Sequence, residues 1–178
     1  MSPTAHGLIS WLISQPLRHR RERCIVTYAG LAPDLDGLGW VVDQCFDTQY
    51  FVTWHHVLAH NLWFALLCMA GAAYGAQQQK GLTVLLVGLA FHVHLLCDVL
   101  GSGSGDGYMW PILYLYPFAD VGWSWSGQWM LNGWQNWLIA GIAIGWVAVI
   151  MRRTSRSIFE IFGERFDQAA RRLYRRFI

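Results

Sequence analysis

Charge is scarce in this chain, and positive charge is nearly missing from its middle. Charged residues make up 13% of the sequence, about half the ~25% usual in soluble domains. Between Cys24 and Met151 the only Lys or Arg is Lys80, yet seven aspartates lie there: Asp34, Asp36, Asp43, Asp47, Asp98, Asp106 and Asp120. Such a block cannot neutralise itself by ion pairs, so bound cations, protons or water must answer its acids. With no basic stripe beside a stacking platform, nucleic acid is not expected as a partner. The four cysteines, Cys24, Cys45, Cys68 and Cys97, include no C-x-x-C pair, which argues against a disulfide framework or a thiolate metal site. An H-E-x-x-H metalloprotease motif and an EF-hand loop are both missing. No secretory leader is expected, because the first apolar run is short and is followed by charge, not preceded by it.

What the chain has instead is apolar length. Hydrophobic residues make up 54% and aromatics 15%, a composition that points to a membrane protein. Ala5 to Gln15 is apolar but too short for a bilayer, which takes roughly 20 residues. Leu17 to Arg23 reads as a basic loop facing lipid headgroups. His56 to Ala76 and Leu82 to Gly101 read as two long apolar helices joined by Gln77-Gln78-Gln79-Lys80-Gly81, the size of a helical-hairpin turn. A flexible loop follows at Gly101 to Gly107. The Trp- and Tyr-crowded stretch from Tyr108 to Trp137 reads as interfacial, and Trp137 to Met151 as a marginal span with Gly141 and Gly145 spaced for close helix packing. From Arg152 onward, eight arginines alternate with apolar residues in helical period, as in an amphipathic helix lying on an anionic membrane face. A dimerising helix is the other reading of this tail.

The fold expected is therefore all-α: an integral membrane helical bundle with a metal cluster near one end and a C-terminal amphipathic helix. Residues 1–151 would form a membrane-embedded domain and 152–178 the basic helix. Both basic ends would face the cytoplasm, making the chain multi-pass.

The candidate ligands follow from spacing. His94 and Asp98 are four apart, on one helical face. His55, His56 and His60 cluster at the start of the preceding apolar run. Helix geometry favours the pair His56 and His60, while His55 joins them only if it precedes the helix. The expected hairpin brings these histidines to the level of His94 and Asp98. In Pro33-Asp34-Leu35-Asp36-Gly37 the two carboxylates alternate, so in an extended loop they point to opposite sides. One would bind an ion directly and the other bind a second ion or support the first; ordinary turn chemistry is the competing explanation. His6 and, in reserve, His92 complete the list, whereas Asp43 and Asp47 read as solvated. Imidazole and carboxylate together suit zinc and similar ions, and the set is large enough for two of them. Paired ions serve phosphoester hydrolysis, with metal-activated hydroxide as the attacking group.

The order His6, then Pro33-Asp34-Leu35-Asp36, then His55-x4-His60, then His94-x3-Asp98 resembles the bacterial inner-membrane metal-dependent hydrolases of the YdjM type, over about His6 to Pro117. The usual middle motif of that family is His-Arg-Gly-x-Thr-His-Ser; here His56, Ala59 and Asn61 stand in the Arg, Thr and Ser places. The departure keeps the metal scaffold and leaves substrate preference open. Register with the family makes His55 the ligand and His56 the extra. The plan is also similar, more distantly, to zinc-dependent phospholipase C and the P1-type nucleases, which implies two or three zinc ions and a phosphoester substrate. Lipid phosphatases with a histidine nucleophile share the His-x-x-x-Asp ending. Their phosphate-holding Lys and Arg and their Pro-Ser-Gly-His element are not in this core.

The expectation is thus an inner-membrane hydrolase binding two or three divalent ions, zinc first and manganese as the alternative. His6, Asp34, Asp36, His55, His60, His94 and Asp98 would be ligands, with Asp34, Asp36, His94 and Asp98 at the chemistry. Its partners would be membrane lipids, an amphiphilic phosphate-containing substrate and a second copy of itself. The competing function is non-enzymatic: metal or proton transport, or sensing, at the same cluster.

Overall fold

Ser2 and Pro3 start the first helix, a hydroxyl cap followed by the one residue type that needs no amide hydrogen there. In the computed structural model, which describes residues 1–176, Ser2 Oγ accepts from Ala5 N and α1 runs Pro3–Ile13. It reverses through Ser14–Pro16 into α2, Arg20–Leu31. A 3-10 segment, Ala32–Leu38, leads to two short helices, α3 (Gly39–Cys45) and α4 (Tyr50–Trp54). Then come α5 (Leu62–Gly75), α6 (Lys80–Gly101), α7 (Trp134–Thr154), a 3-10 segment Ile158–Phe162, and α8 (Glu164–Tyr174). The described residues form no strand; the stretch between α6 and α7 is irregular, pinned by isolated bridges such as Ile112 to Trp123. The fold is all-helical, as expected.

Three apolar clusters hold the bundle. Val26 and Ala29 of α2, Ala72 of α5, and Leu86, Val87 and Ala90 of α6 form one. Leu8 and Trp11 of α1 pack against Ala143 and Val147 of α7 in another. The third joins Ala65 of α5 and Phe91 and Leu95 of α6 to Ile112. Gly30 is required where α1, α2 and α6 meet: an added Cβ would overlap Ser10 Oγ and stand 3.3 Å from Ala90 Cβ.

Several local expectations are corrected. The helix expected from His56 begins only at Leu62, because Asn61 is extended and its side chain caps Phe64 N at 2.9 Å. At 14 residues, α5 reaches about 21 Å, short of a ~30 Å hydrocarbon core. Among the described residues two helices are long and apolar enough to cross a membrane, α6 with 22 residues and α7 with 21; the stretch read as marginal is thus the second of them. The basic stretch near the start is a loop only as far as His19. Its last arginines open α2, and Arg23 is buried, paired with Glu160 at 2.5 Å. The aspartate pair lies on a 3-10 turn, not on an extended loop. Asp43, read as solvated, accepts from Tyr50 N at 2.7 Å and Phe51 N at 2.8 Å and so caps α4.

The expected hairpin exists. Glu22 Oε1 accepts from both Gln77 N and Gln78 N at 3.1 Å, fixing the turn between α5 and α6. At the other end Asn136 Nδ2 donates to Gly101 O at 2.9 Å and to Leu131 O at 2.8 Å, tying the end of α6 to the start of α7.

Candidate metal centre

Four separate stretches deliver imidazole and carboxylate to one end of the bundle. α1 contributes His6, the first 3-10 segment Asp34 and Asp36, the turn before α5 His55, His56 and His60, and α6 His94 and Asp98. They form overlapping triads with ligand atoms within 4.8 Å of one another: His6, His94 and Asp98; Asp34, His60 and His94; Asp36, His55 and His60; His56, His60 and Asp98. All seven expected ligands are therefore together, and the reserve His56 joins them. The other reserve, His92, does not: it is exposed on α6, bonded to Gly88 O at 2.7 Å and to Tyr114 Oη at 2.8 Å.

The hydrogen bonds fix how each ring is presented. A carbonyl oxygen can only accept, so His94 Nδ1, 2.8 Å from Gly30 O, carries the hydrogen and leaves Nε2 with a lone pair. Asp36 does the same for two rings at once, accepting from His55 Nδ1 at 2.7 Å and His60 Nδ1 at 2.9 Å. His60 Nε2 and His94 Nε2 then face each other across 3.3 Å. Asp98 Oδ2 lies 3.0 Å from the second and 3.4 Å from the first, and Asp34 Oδ1 is 3.8 Å from His94 Nε2. Two nitrogens aimed at one point repel unless a cation, proton or metal, sits between them.

Around this focus the contacts are asymmetric. Asp98 Oδ1 is crowded: His6 Nε2 at 3.1 Å, Ser102 Oγ at 2.9 Å and the Met1 amino group all reach it. His6 stacks on His94 with ring centroids 3.6 Å apart. By contrast His6 Nδ1, His56 Nδ1, Asp34 Oδ2 and Asp98 Oδ2 are buried with no hydrogen-bond partner. Unsatisfied buried polar atoms are costly and rare, and four within one cluster are atoms that a bound cation would satisfy. The donor set, neutral imidazole with carboxylate, suits a borderline divalent ion such as zinc.

Electrostatics agrees with a site built for positive charge. Burial alone would push the Asp36 carboxyl up, but the His55 and His60 imidazoles hold it well below the ordinary carboxylate range. Burial would likewise lower His60, yet Asp36 and Asp98 raise it to about 9. His56 is driven well below its ordinary value, first by burial and then by the neighbouring His60. His6 is also lowered by burial, against the pull of Asp98.

Sequence reasoning missed three participants. Ser102 follows Asp98 by one helical turn, a spacing that could have flagged it. The Gly30 carbonyl and the Met1 amino group carry no side-chain signal. His56, the reserve, adopts φ 67° and is buried within the cluster.

A cavity of about 550 Å³ opens against the cluster. Asp34, His55, His56, Asp98 and Ser102 line its floor, while Leu38, Trp40, Val41, Phe51, Trp110 and Leu131 form apolar walls. The profile of the YdjM inner membrane protein family matches residues 1–163, a stretch that holds every group just described. The chain belongs to that family. Neither a curated protein nor a solved structure matches it. For this YdjM-family chain, the family and the two membrane-capable helices together support a membrane location.

Proposed function

We propose that the protein is an integral, multi-pass membrane hydrolase of the inner membrane that uses divalent ions, zinc in the first place, to cleave a phosphoester. The observation that carries this reading is the pair of imidazole Nε2 atoms facing across 3.3 Å, each oriented by a hydrogen bond at its far nitrogen. That fixed-tautomer arrangement is how metal-ligating histidines are prepared. His60, His94, Asp98 and Asp34 would hold one ion. The surrounding His6, His55 and His56 supply donors for a second, with Asp36 orienting the rings.

A bound divalent ion would lower the pKa of water toward ~7 and neutralise phosphate charge, which this core, with Lys80 as its lone Lys or Arg, cannot do itself. The chain's own residues then have distinct tasks. Asp34 is only half-buried and borders the cavity, with Oδ2 left without a hydrogen-bond partner. Asp36 keeps the Nδ1 hydrogens of His55 and His60 in place. The apolar cavity walls exclude water and receive the greasy part of an amphiphile. The order of His and Asp motifs in the sequence resembles that of zinc-dependent phospholipase C and the P1-type nucleases, and that resemblance is what favours phosphoester over other hydrolysis in this reading. The basic tail would lie on the cytoplasmic face, where Phe159, Phe162, Phe166 and Leu173 are exposed beside its arginines.

The test is metal content and turnover in protein purified without chelators. The reading expects at least stoichiometric zinc or manganese, and hydrolysis of a generic phosphodiester or lipid phosphate that His94→Ala abolishes. Protein with no bound transition metal would overturn it. Metal retained with no turnover, and metal flux in vesicles, would instead mark a transport or sensing site.

A further inference from the structure

All thirteen Lys and Arg residues belong to one end of the molecule. Lys80 starts α6, and the turn before it is bound to the others: Arg18 N donates to Gln79 Oε1 at 2.7 Å, and Arg21 Nε to Gly75 O at 2.9 Å. Arg152 and Arg153 end α7, while Arg156 reaches back to Gln15 O at 3.1 Å and Arg171 to Ser155 O at 3.4 Å. Residues 102–133, which join the far ends of the two long helices, contain no Lys or Arg. That far end carries indoles instead. Trp40, Trp123, Trp125, Trp134 and Trp137 are all 45–73% exposed.

The candidate metal centre sits at the indole end. His94 and Asp98 are 14 and 18 residues beyond Lys80, ~21 and ~27 Å along a helix rising 1.5 Å per residue. Short connections rich in Lys and Arg stay on the cytoplasmic side, and Trp collects at the headgroup level. From this we infer that the cluster and its cavity open on the extracytoplasmic side of the membrane, and that the substrate is a phosphate-bearing lipid of the leaflet facing that side. The lipid assignment rests on the hydrolase reading above; the orientation does not. The cavity wall favours a lipid over a soluble phosphate ester. Trp40 and Val41 are each half-exposed while lining it, so the apolar wall continues onto the outer surface of the bundle.

Native Cys45, exposed at the end of α3, lies at the indole end, and Gln78 is exposed in the basic-end turn. Intact spheroplasts would be treated with a membrane-impermeant maleimide. The comparison uses a Cys24→Ser, Cys68→Ser, Cys97→Ser background against the same background carrying Cys45→Ser and Gln78→Cys. Cys45 is expected to label in intact spheroplasts and Gln78→Cys only after lysis; the reverse pattern, or labelling of both from outside, overturns the orientation. If the multiple variant does not accumulate, wild type against Cys45→Ser, read by mass spectrometry of the labelled peptide, decides the same point. The substrate is tested with zinc-loaded protein in vesicles containing a diacylglycerol phosphate, beside soluble p-nitrophenyl phosphate. Turnover of the lipid at least tenfold above the soluble ester is expected. Equal or faster turnover of the soluble ester overturns the lipid assignment. Turnover of neither overturns the hydrolase reading while leaving the labelling result intact.

Discussion

Glu160 and Asp98 are equally buried, each about 2% exposed, yet they are handled in opposite ways. At the basic end Glu160 is closed off. Arg23 Nε and Trp11 Nε1 donate to Oε1 at 2.7 and 2.9 Å, and a second Arg23 nitrogen donates to Oε2 at 2.5 Å. The remaining Arg23 donor reaches Arg18 O at 2.8 Å. At the indole end Asp98 Oδ1 takes the Met1 amino group, Ser102 and His6, but its Oδ2 faces imidazoles and ends without a hydrogen bond, as do His6 Nδ1, His56 Nδ1 and Asp34 Oδ2. An arginine is a permanent cation with a planar fork that completes a carboxylate and leaves nothing to bind. Histidines can give up their charge, so a carboxylate set among them keeps room for an exchangeable cation. The first network is a staple between the C-terminal segment and α1 and α2. The second has the features of a site.

If that contrast holds, the two ends respond differently to mutation. The largest effect is expected from His94→Ala or Asp98→Asn. Either should remove bound metal and lower activity by more than the ~100-fold typical of losing only a supporting group. Elemental analysis and steady-state rates check this, and a variant that keeps full metal and rate would erase the distinction. Next is Glu160→Gln, which strands Arg23 in the interior. Breaking one partner of a buried pair costs about 3–5 kcal/mol, read as a lower midpoint of thermal unfolding in detergent, with metal per folded protein unchanged. Replacing both partners, Arg23→Met with Glu160→Leu, should recover most of that loss. No such double replacement should rescue the indole end.

Asp36→Asn sharpens the comparison further, because Asp36 acts through His55 and His60. It should weaken zinc binding by roughly 10–100-fold while an excess of zinc restores much of the rate. A purely structural role would not be rescued by metal. Gly30→Ala should cost about 1–3 kcal/mol from overpacking against Ser10, and should also disturb His94 through the shifted Gly30 carbonyl.

These expectations depend on features of unequal visibility in the sequence. The clustering of His and Asp at one end was legible because His94 and Asp98 sit one helical turn apart and because a short polar turn forces α5 beside α6. The scarcity of Lys and Arg pointed to bound cations for the same physical reason. What stayed hidden was backbone conformation. Nothing in the composition of His55 to Asn61 announces a positive φ at His56, so the apolar run suggests a helix where a capped turn stands, and α5 is shorter than that run. Arg23 looked like a headgroup-facing charge because its partner, Glu160, lies 137 residues away. Tertiary partners of that kind leave no local trace. The Asp34 and Asp36 alternation suggests a strand-like period; Pro33 and the following glycine instead support a 3-10 turn, which brings both carboxylates to the same cluster.

The smallest effect belongs to the basic end and isolates a carboxylate that neither arginine nor histidine completes. Burial pushes the Glu22 carboxyl up, but the amides of Gln78 and Gln77 outweigh it, so the folded protein holds this group below its ordinary value of 4.5. The folded state therefore binds fewer protons here than the unfolded one. The contribution is present above about pH 4.5 and is lost as pH falls through the lower folded value. Thermal midpoints measured from pH 6 down to pH 3 (roughly the carboxylate range) should fall less steeply in Glu22→Gln than in the native chain, with metal content at neutral pH the same in both. An identical slope would mean that the turn between α5 and α6 is held by its apolar neighbours and not by this carboxylate.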